Sequence, residues 1–142
     1  MTYKHTQIGY LIIIALIIPL LILFFAMIVT EFTQILLIVF FALLLALVLF
    51  PSLTVEIDKT RLIVKFGFGV INKKFILKDI ESCHAVKNPW YYGWGIRITP
   101  HGWLYNISGL SAIEIQMKNG KKYRIGTDEP KSLEHAITQT IK

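Results

Sequence analysis

The chain has 142 residues, 54% of them apolar, with a net charge of +6 and one cysteine. A single cysteine excludes an intrachain disulfide and fits a reducing compartment. The basic excess lies after residue 51, where 14 Lys and Arg face 8 Asp and Glu, and the length left there suits one compact domain with a modest core.

Residues 8–29 (IGYLIIIALIIPLLILFFAMIV) carry no charge, and residues 32–50 carry none either. A bilayer core about 30 Å thick takes roughly 20 apolar residues of helix, so each run predicts one crossing. Thr30 and Glu31 lie between the runs, with Thr33 and Gln34 just after. One continuous helix would bury Glu31 in lipid, which is costly, so the pattern predicts a tight antiparallel pair with helices at about 8–29 and 33–50. Pro19 predicts a kink in the first helix, and Ala42 with Ala46 offers a small-residue contact. Neither helix holds an internal ionisable group, which argues against an ion pathway. Lys4 precedes the pair, the connection has no Lys or Arg, and Lys59, Arg61 and Lys65 follow it. The positive-inside rule then predicts a multi-pass inner-membrane protein with both termini cytoplasmic.

Pro51 ends the second helix, and the period changes to two. The runs LTVEI (53–57) and RLIVKFG (61–67) alternate around a turn at residues 58–60. FILKDIESCHAV (75–86) is apolar but irregular and predicts a bent or bulged strand. GIRIT (95–99) and WLYNI (103–107) form a hairpin around residues 100–102. AIEIQMK (112–118) and KKYRI (121–125) flank Asn119-Gly120, which predicts a type I′ turn. Thr127 to Pro130 reads as a helix start. Leu133, Ala136, Ile137, Thr140 and Ile141 then recur at helical spacing. The expected organisation is a transmembrane helical hairpin (1–51) and an all-β domain with a terminal helix (52–142).

The stretches LTVEIDKTRLIVKFGFG, ILKDIESC, YYGWGIR, GWLYNISG and IEIQMKNGKKYRIGTDEP cover most of residues 53–130. In order and spacing they resemble the bacterial pleckstrin-homology-like family, in its membrane-anchored members with two transmembrane helices. The resemblance implies a seven-stranded barrel closed by a C-terminal capping helix, acting as a binding or scaffolding module. Lys59, Arg61 and Lys65 fall where phosphoinositide-binding relatives carry basic residues. Position 63 is Ile, not the basic residue that such a motif needs, which leaves looser attraction to anionic phospholipid.

The most unusual stretch is residues 88–95, with Trp90, Tyr91, Tyr92 and Trp94 set among glycines and flanked by Lys87 and Arg97. Tryptophan and tyrosine suit a membrane interface or a partner surface. An alternative is a loop that folds its rings over its own domain. The candidate contact residues are therefore Trp90, Tyr91, Tyr92, Trp94, Arg97, Lys59, Arg61 and Lys65. Cys83 and His84, with His101 and His135, match no zinc spacing, and no Gly-rich phosphate loop is present. The sequence thus reads as a non-enzymatic, membrane-tethered cytoplasmic module with no metal or cofactor. It contacts a protein partner or a second copy, and anionic headgroups, but not nucleic acid. Two alternatives are an accessory subunit of a membrane transporter or complex and a metal- or Cys/His-dependent enzyme built on Cys83, His84 and His101.

Overall fold

The computed structural model describes residues 3–31 and 33–141. The positions at Phe32 and Lys142, where two expected ranges begin or end, lie outside them. A strand that the sequence reading passed over, β1 (Tyr3–Ile8), comes first. Helices α1 (Tyr10–Val29) and α2 (Gln34–Leu49) follow and pack together. The remaining strands are β2 (Ser52–Ile57), β3 (Arg61–Phe66), β4 (Ile71–Ile76), β5 (Ile80–Lys87), β6 (Gly95–Thr99), β7 (Gly102–Asn106), β8 (Ser111–Met117) and β9 (Lys122–Gly126), before α3 (Pro130–Ile141).

The expected seven-stranded barrel is not what the chain forms. The described residues hold nine strands in two separate sheets, ordered β1-β2-β3-β4 and β5-β8-β9-β7-β6. Two strands were hidden by polarity. β1 (YKHTQI) and β4 (INKKFI) are edge strands, and edges carry polar residues that blur an apolar period. The irregular run 75–86 is not one bent strand. It ends β4, makes a 3-10 turn at Leu77–Asp79 and begins β5 in the other sheet. The strands are not uniformly antiparallel either, because β7 runs parallel to β9. The β7–β8 connection therefore crosses the end of β9. Gly126 makes room there, since a Cβ on it would lie 2.6 Å from Cγ of Asn106.

The expectation of two transmembrane helices is also revised. α1 has the length and apolar character to cross a membrane, and at 1.5 Å per residue it is about 30 Å long. α2, with 16 residues, reaches only about 24 Å. Thr30 closes α1, its N–H and hydroxyl both donating to the Ala26 carbonyl. Thr33 opens α2 by accepting from the Leu36 N–H. Pro19 sits inside α1, which continues through it. Ala42 is exposed, so the expected Ala42/Ala46 contact is not the seam. Leu20 and Phe40 line the space between the helices instead.

The core lies between the sheets. Alternate residues of β2 and β3, from Leu53 to Phe66, meet Ile113 and Ile115 of β8 and Ile125 of β9. Leu133 and Ile137 of α3 are fully buried against β5 and β8. The expected helical stripe is therefore real, although it closes a two-sheet sandwich and not a barrel.

Candidate membrane and partner interface

Strand direction divides the domain into two ends. β1 runs into α1 and β2 leaves α2, and the two strands pair from Ile8↔Ser52 to Tyr3↔Ile57. Gly9 N–H donates to the Pro51 carbonyl at 3.0 Å. The two arms of the helical pair are thus tied together at one end, here the hairpin end. β3 returns to it at Phe66, opposite Leu53. The segment 107–110 is there too, because Gln7 donates to the Ser108 carbonyl at 3.3 Å. Residues 58–60, 77–79 and 118–121 form the far end, joined by bonds from Leu77 N–H to Thr60 O and Lys118 N–H to Asp79 O. Six residues of strand separate the ends by about 20 Å.

This geometry splits the candidate residues. Lys59 and Arg61 belong to the far end. Arg61 sits 3.6 Å from Asp58, whose carboxyl is held below its usual range by the N–H groups of Thr60 and Arg61. Lys65 lies toward the hairpin end but donates to Glu56 at 2.8 Å, and Lys4 approaches the same carboxylate at 3.2 Å. The hydrogen bond from Lys65, and after it that from Lys4, holds Glu56 below the ordinary carboxylate range against the opposing effect of burial. The structure therefore does not bring Lys59, Arg61 and Lys65 into one open basic patch. Lys59 instead joins Lys78 and Lys118 around a 740 Å³ far-end cavity. Among the described residues none of these three lysines has a carboxylate at ion-pair distance.

The aromatic loop also divides. Asn88 N–H donates to the Leu110 carbonyl at 2.7 Å, and the Trp94 indole N–H donates to the Gly109 carbonyl at 3.1 Å. Both anchors are on the hairpin-end segment. Tyr92 is buried, and its hydroxyl meets His101 Nδ1 at 2.7 Å. Beneath it lies Arg124, only 6% exposed. Its Nε and Nη2 donate to Glu114 at 3.0 and 2.9 Å, its Nη1 donates to Asn88 at 3.0 Å, and its guanidinium lies 5.8 Å from the Tyr92 ring centre. This network fastens the loop to the outer face of the five-stranded sheet and buries Leu104 there. Tyr92 and Trp94 are thus fasteners. Trp90 and Tyr91 are 75% and 67% exposed and are free to meet a partner. Arg97 is exposed and donates to the Trp94 carbonyl at 3.2 Å.

Sequence reasoning missed Arg124 because strict alternation in KKYRI points it toward solvent. The loop that covers it comes from residues 88–94, which no local pattern announces. Reasoning also passed over Phe68 and Val70. Both project from the β3–β4 turn at the hairpin end, and both are exposed. The signal was present: apolar residues in a glycine-bounded turn have no reason to be there on solubility grounds.

Cys83 faces the core and is buried, which pushes its thiol up to about 12. That is the reverse of what a thiolate nucleophile needs. His84 pairs across from Glu114, and His101 is held by Tyr92, so the structure does not bring Cys83, His84 and His101 together. Among the described residues no three His, Cys, Asp or Glu side chains are grouped to hold a metal. No family model matches the chain, and no curated protein matches it.

Proposed function

We propose that this protein is a membrane-tethered binding module. In this reading α1, the candidate span, enters a bilayer from the domain's side, and the shorter apolar α2 packs beside it. The observation that carries the reading is the exposure of the helices. Leu20 is the one buried residue of α1, and α2 has none. Exposed apolar side chains run from Tyr10 to Val48. A helix that is apolar all round requires an apolar surround, and water offers none. In this reading β1, paired along β2, lies with the rest of the domain on one side of the bilayer. The basic excess and the uncharged-to-basic asymmetry of the flanks favour the cytoplasmic side.

Trp90 and Tyr91 supply the interfacial aromatic contact, with anionic headgroups favoured by the net positive domain. The far-end cavity, lined by Lys59, Lys78 and Lys118 together with Glu81, turns away from the bilayer and supplies the surface for a protein partner. No step of chemistry is assigned to the chain.

Alkaline carbonate extraction of membranes containing the full chain tests the reading. The protein stays with the membrane pellet. A cysteine placed at Glu31 is labelled by an impermeant reagent in intact cells, and one placed at Lys118 is not. Release into the carbonate supernatant would overturn the membrane reading, and the opposite labelling pattern would reverse the orientation.

A further inference from the structure

Phe68 is 87% exposed, the most exposed large apolar side chain among the described residues, and Val70 is 74% exposed. They occupy the turn between β3 and β4, whose shape is fixed by its own residues. Gly67 and Gly69 take positive φ of 55° and 89°, conformations that suit glycine. Gly69 N–H donates to the Phe66 carbonyl at 2.9 Å, and the Asn72 side chain donates to the Gly69 carbonyl at 2.7 Å. Phe68 is therefore held out at the tip of an ordered turn.

The position of that turn is equally defined. A Cβ on Gly67 would lie 2.8 Å from the Leu49 carbonyl, 3.0 Å from Pro51 Cδ and 3.2 Å from the Val48 carbonyl. The turn packs on the last residues of α2. Phe50 reinforces the join by meeting the Phe66 ring at 5.2 Å between centres. Register places the turn beyond the hairpin end of β3, pointing the way the helices leave. Exposed Tyr10, at the first residue of α1, lies at the same end.

We infer that the β3–β4 turn is a further lipid contact, in which Phe68 and Val70 enter the boundary between headgroups and acyl chains beside α2. The inference rests on the membrane reading of the helical pair. It differs from the basic and aromatic contacts by being purely apolar, so it needs no anionic lipid. Its consequence is orientational. One contact at the helices and one at the turn fix the tilt of the domain, and so the direction in which the lysine-ringed far end is presented.

The test uses the full chain reconstituted into phosphatidylcholine vesicles, with nitroxide labels at Phe68→Cys, Val70→Cys, Ile14→Cys and Lys118→Cys in separate variants. Native Cys83 is buried and takes no label, which the unmutated chain verifies. Collision with oxygen relative to a water-soluble nickel chelate reports depth. The ratio at 68 and 70 is expected to lie several-fold above that at 118 and below that at 14. Ratios at 68 and 70 equal to that at 118, with 14 shielded by lipid, would overturn the inference and leave the helical anchor standing. A ratio at 14 as low as that at 118 would overturn the anchor itself.

Discussion

The helical pair and the β domain are built from similar apolar side chains and treat them in opposite ways. In α1 and α2 isoleucine, leucine and phenylalanine point in every direction, and all but Leu20 remain exposed or half-buried. In β2 and β3 the same residue types alternate with polar ones, and Leu53, Val55, Ile57, Leu62, Val64 and Phe66 are all buried. Periodicity, not apolar content, decides which region closes on itself. A run without a polar face cannot turn one face inward and the other toward water, so its surround must come from elsewhere. The two regions should therefore respond differently to the same change.

The largest effect is expected where the domain closes. Leu133→Ala or Ile137→Ala empties a fully buried site and should cost about 2–5 kcal/mol, read as a lower thermal transition of the full chain in mild detergent. Ile18→Ala, on the exposed surface of α1, should leave that transition in place. An equal loss from Ile18→Ala would mean that α1 is part of the domain core, and the contrast between the regions would fail.

Charge reverses the roles. Ile18→Arg lies near the middle of α1 and should disfavour membrane insertion by about 2.5–3.5 kcal/mol, seen as more protein in the carbonate supernatant. The domain's own transition in detergent should not move. Unchanged extraction would place α1 against another surface.

A smaller effect belongs to a turn. Asn119-Gly120 is not the expected type I′ turn, because no residue other than glycine has positive φ among the described residues. Gly120 alone has it, at 90°. Its N–H donates to the Met117 carbonyl at 3.0 Å, and Met117 N–H donates to the Lys121 carbonyl at 2.8 Å. This is a three-residue loop of the type I plus bulge kind. Gly120→Val should still destabilise by about 1 kcal/mol or more. Asn119→Ala, which loses only the bond that its Oδ1 accepts from the Lys121 N–H, should cost less. A type I′ turn would predict a heavy penalty at both positions.

The same residues show what could be read in advance. The strands with a buried face on a clean period, β2, β3, β8 and β9, were legible to within a residue or two, as was α3 with Leu133 and Ile137 inward. β1 and β4 were not, because edge strands with polar sequences owe their pairing to what lies beside them. β1 is a strand because the helical pair returns the chain to its side. The sheet order was illegible too. Nothing in GIRIT or WLYNI tells that β9 slots between β7 and β8. At the site, the sequence marked the aromatic loop but could not divide it. That division depends on Arg124, 36 residues from Asn88 in the chain. Lys59, Arg61 and Lys65 looked like one patch because the sequence does not show that Asp58 and Glu56 hold two of them.

The smallest effect sharpens the comparison where the two regions join. Glu56 on β2 binds Lys65 of β3 and Lys4 of β1, so one carboxylate links three strands, including the strand that leads into α1. Its pKa is depressed, chiefly by the Lys65 hydrogen bond. A carboxyl depressed in the folded state contributes stability that is complete above its unfolded value, near 4.5. That stability disappears as the pH falls through the folded value. For a surface ion pair the contribution is about 0.2–1 kcal/mol, too little to unfold the domain. It should instead appear locally. On lowering the pH from neutral to below that window, the protection of the β1 amides relative to their intrinsic exchange rate should fall more than that of the β3 amides, because β1 is an edge strand and β3 is internal. Glu56→Gln should give the lower β1 protection already at neutral pH and reduce its acid dependence, leaving only the part carried by the His5 contacts with Asp128 and Glu129. If β1 protection in the unmutated chain is indifferent to pH, the Glu56 ion pairs do not hold β1 in place. If β3 loosens together with β1, the first sheet responds as a unit, and the join between the two regions is no weaker than the sheet itself.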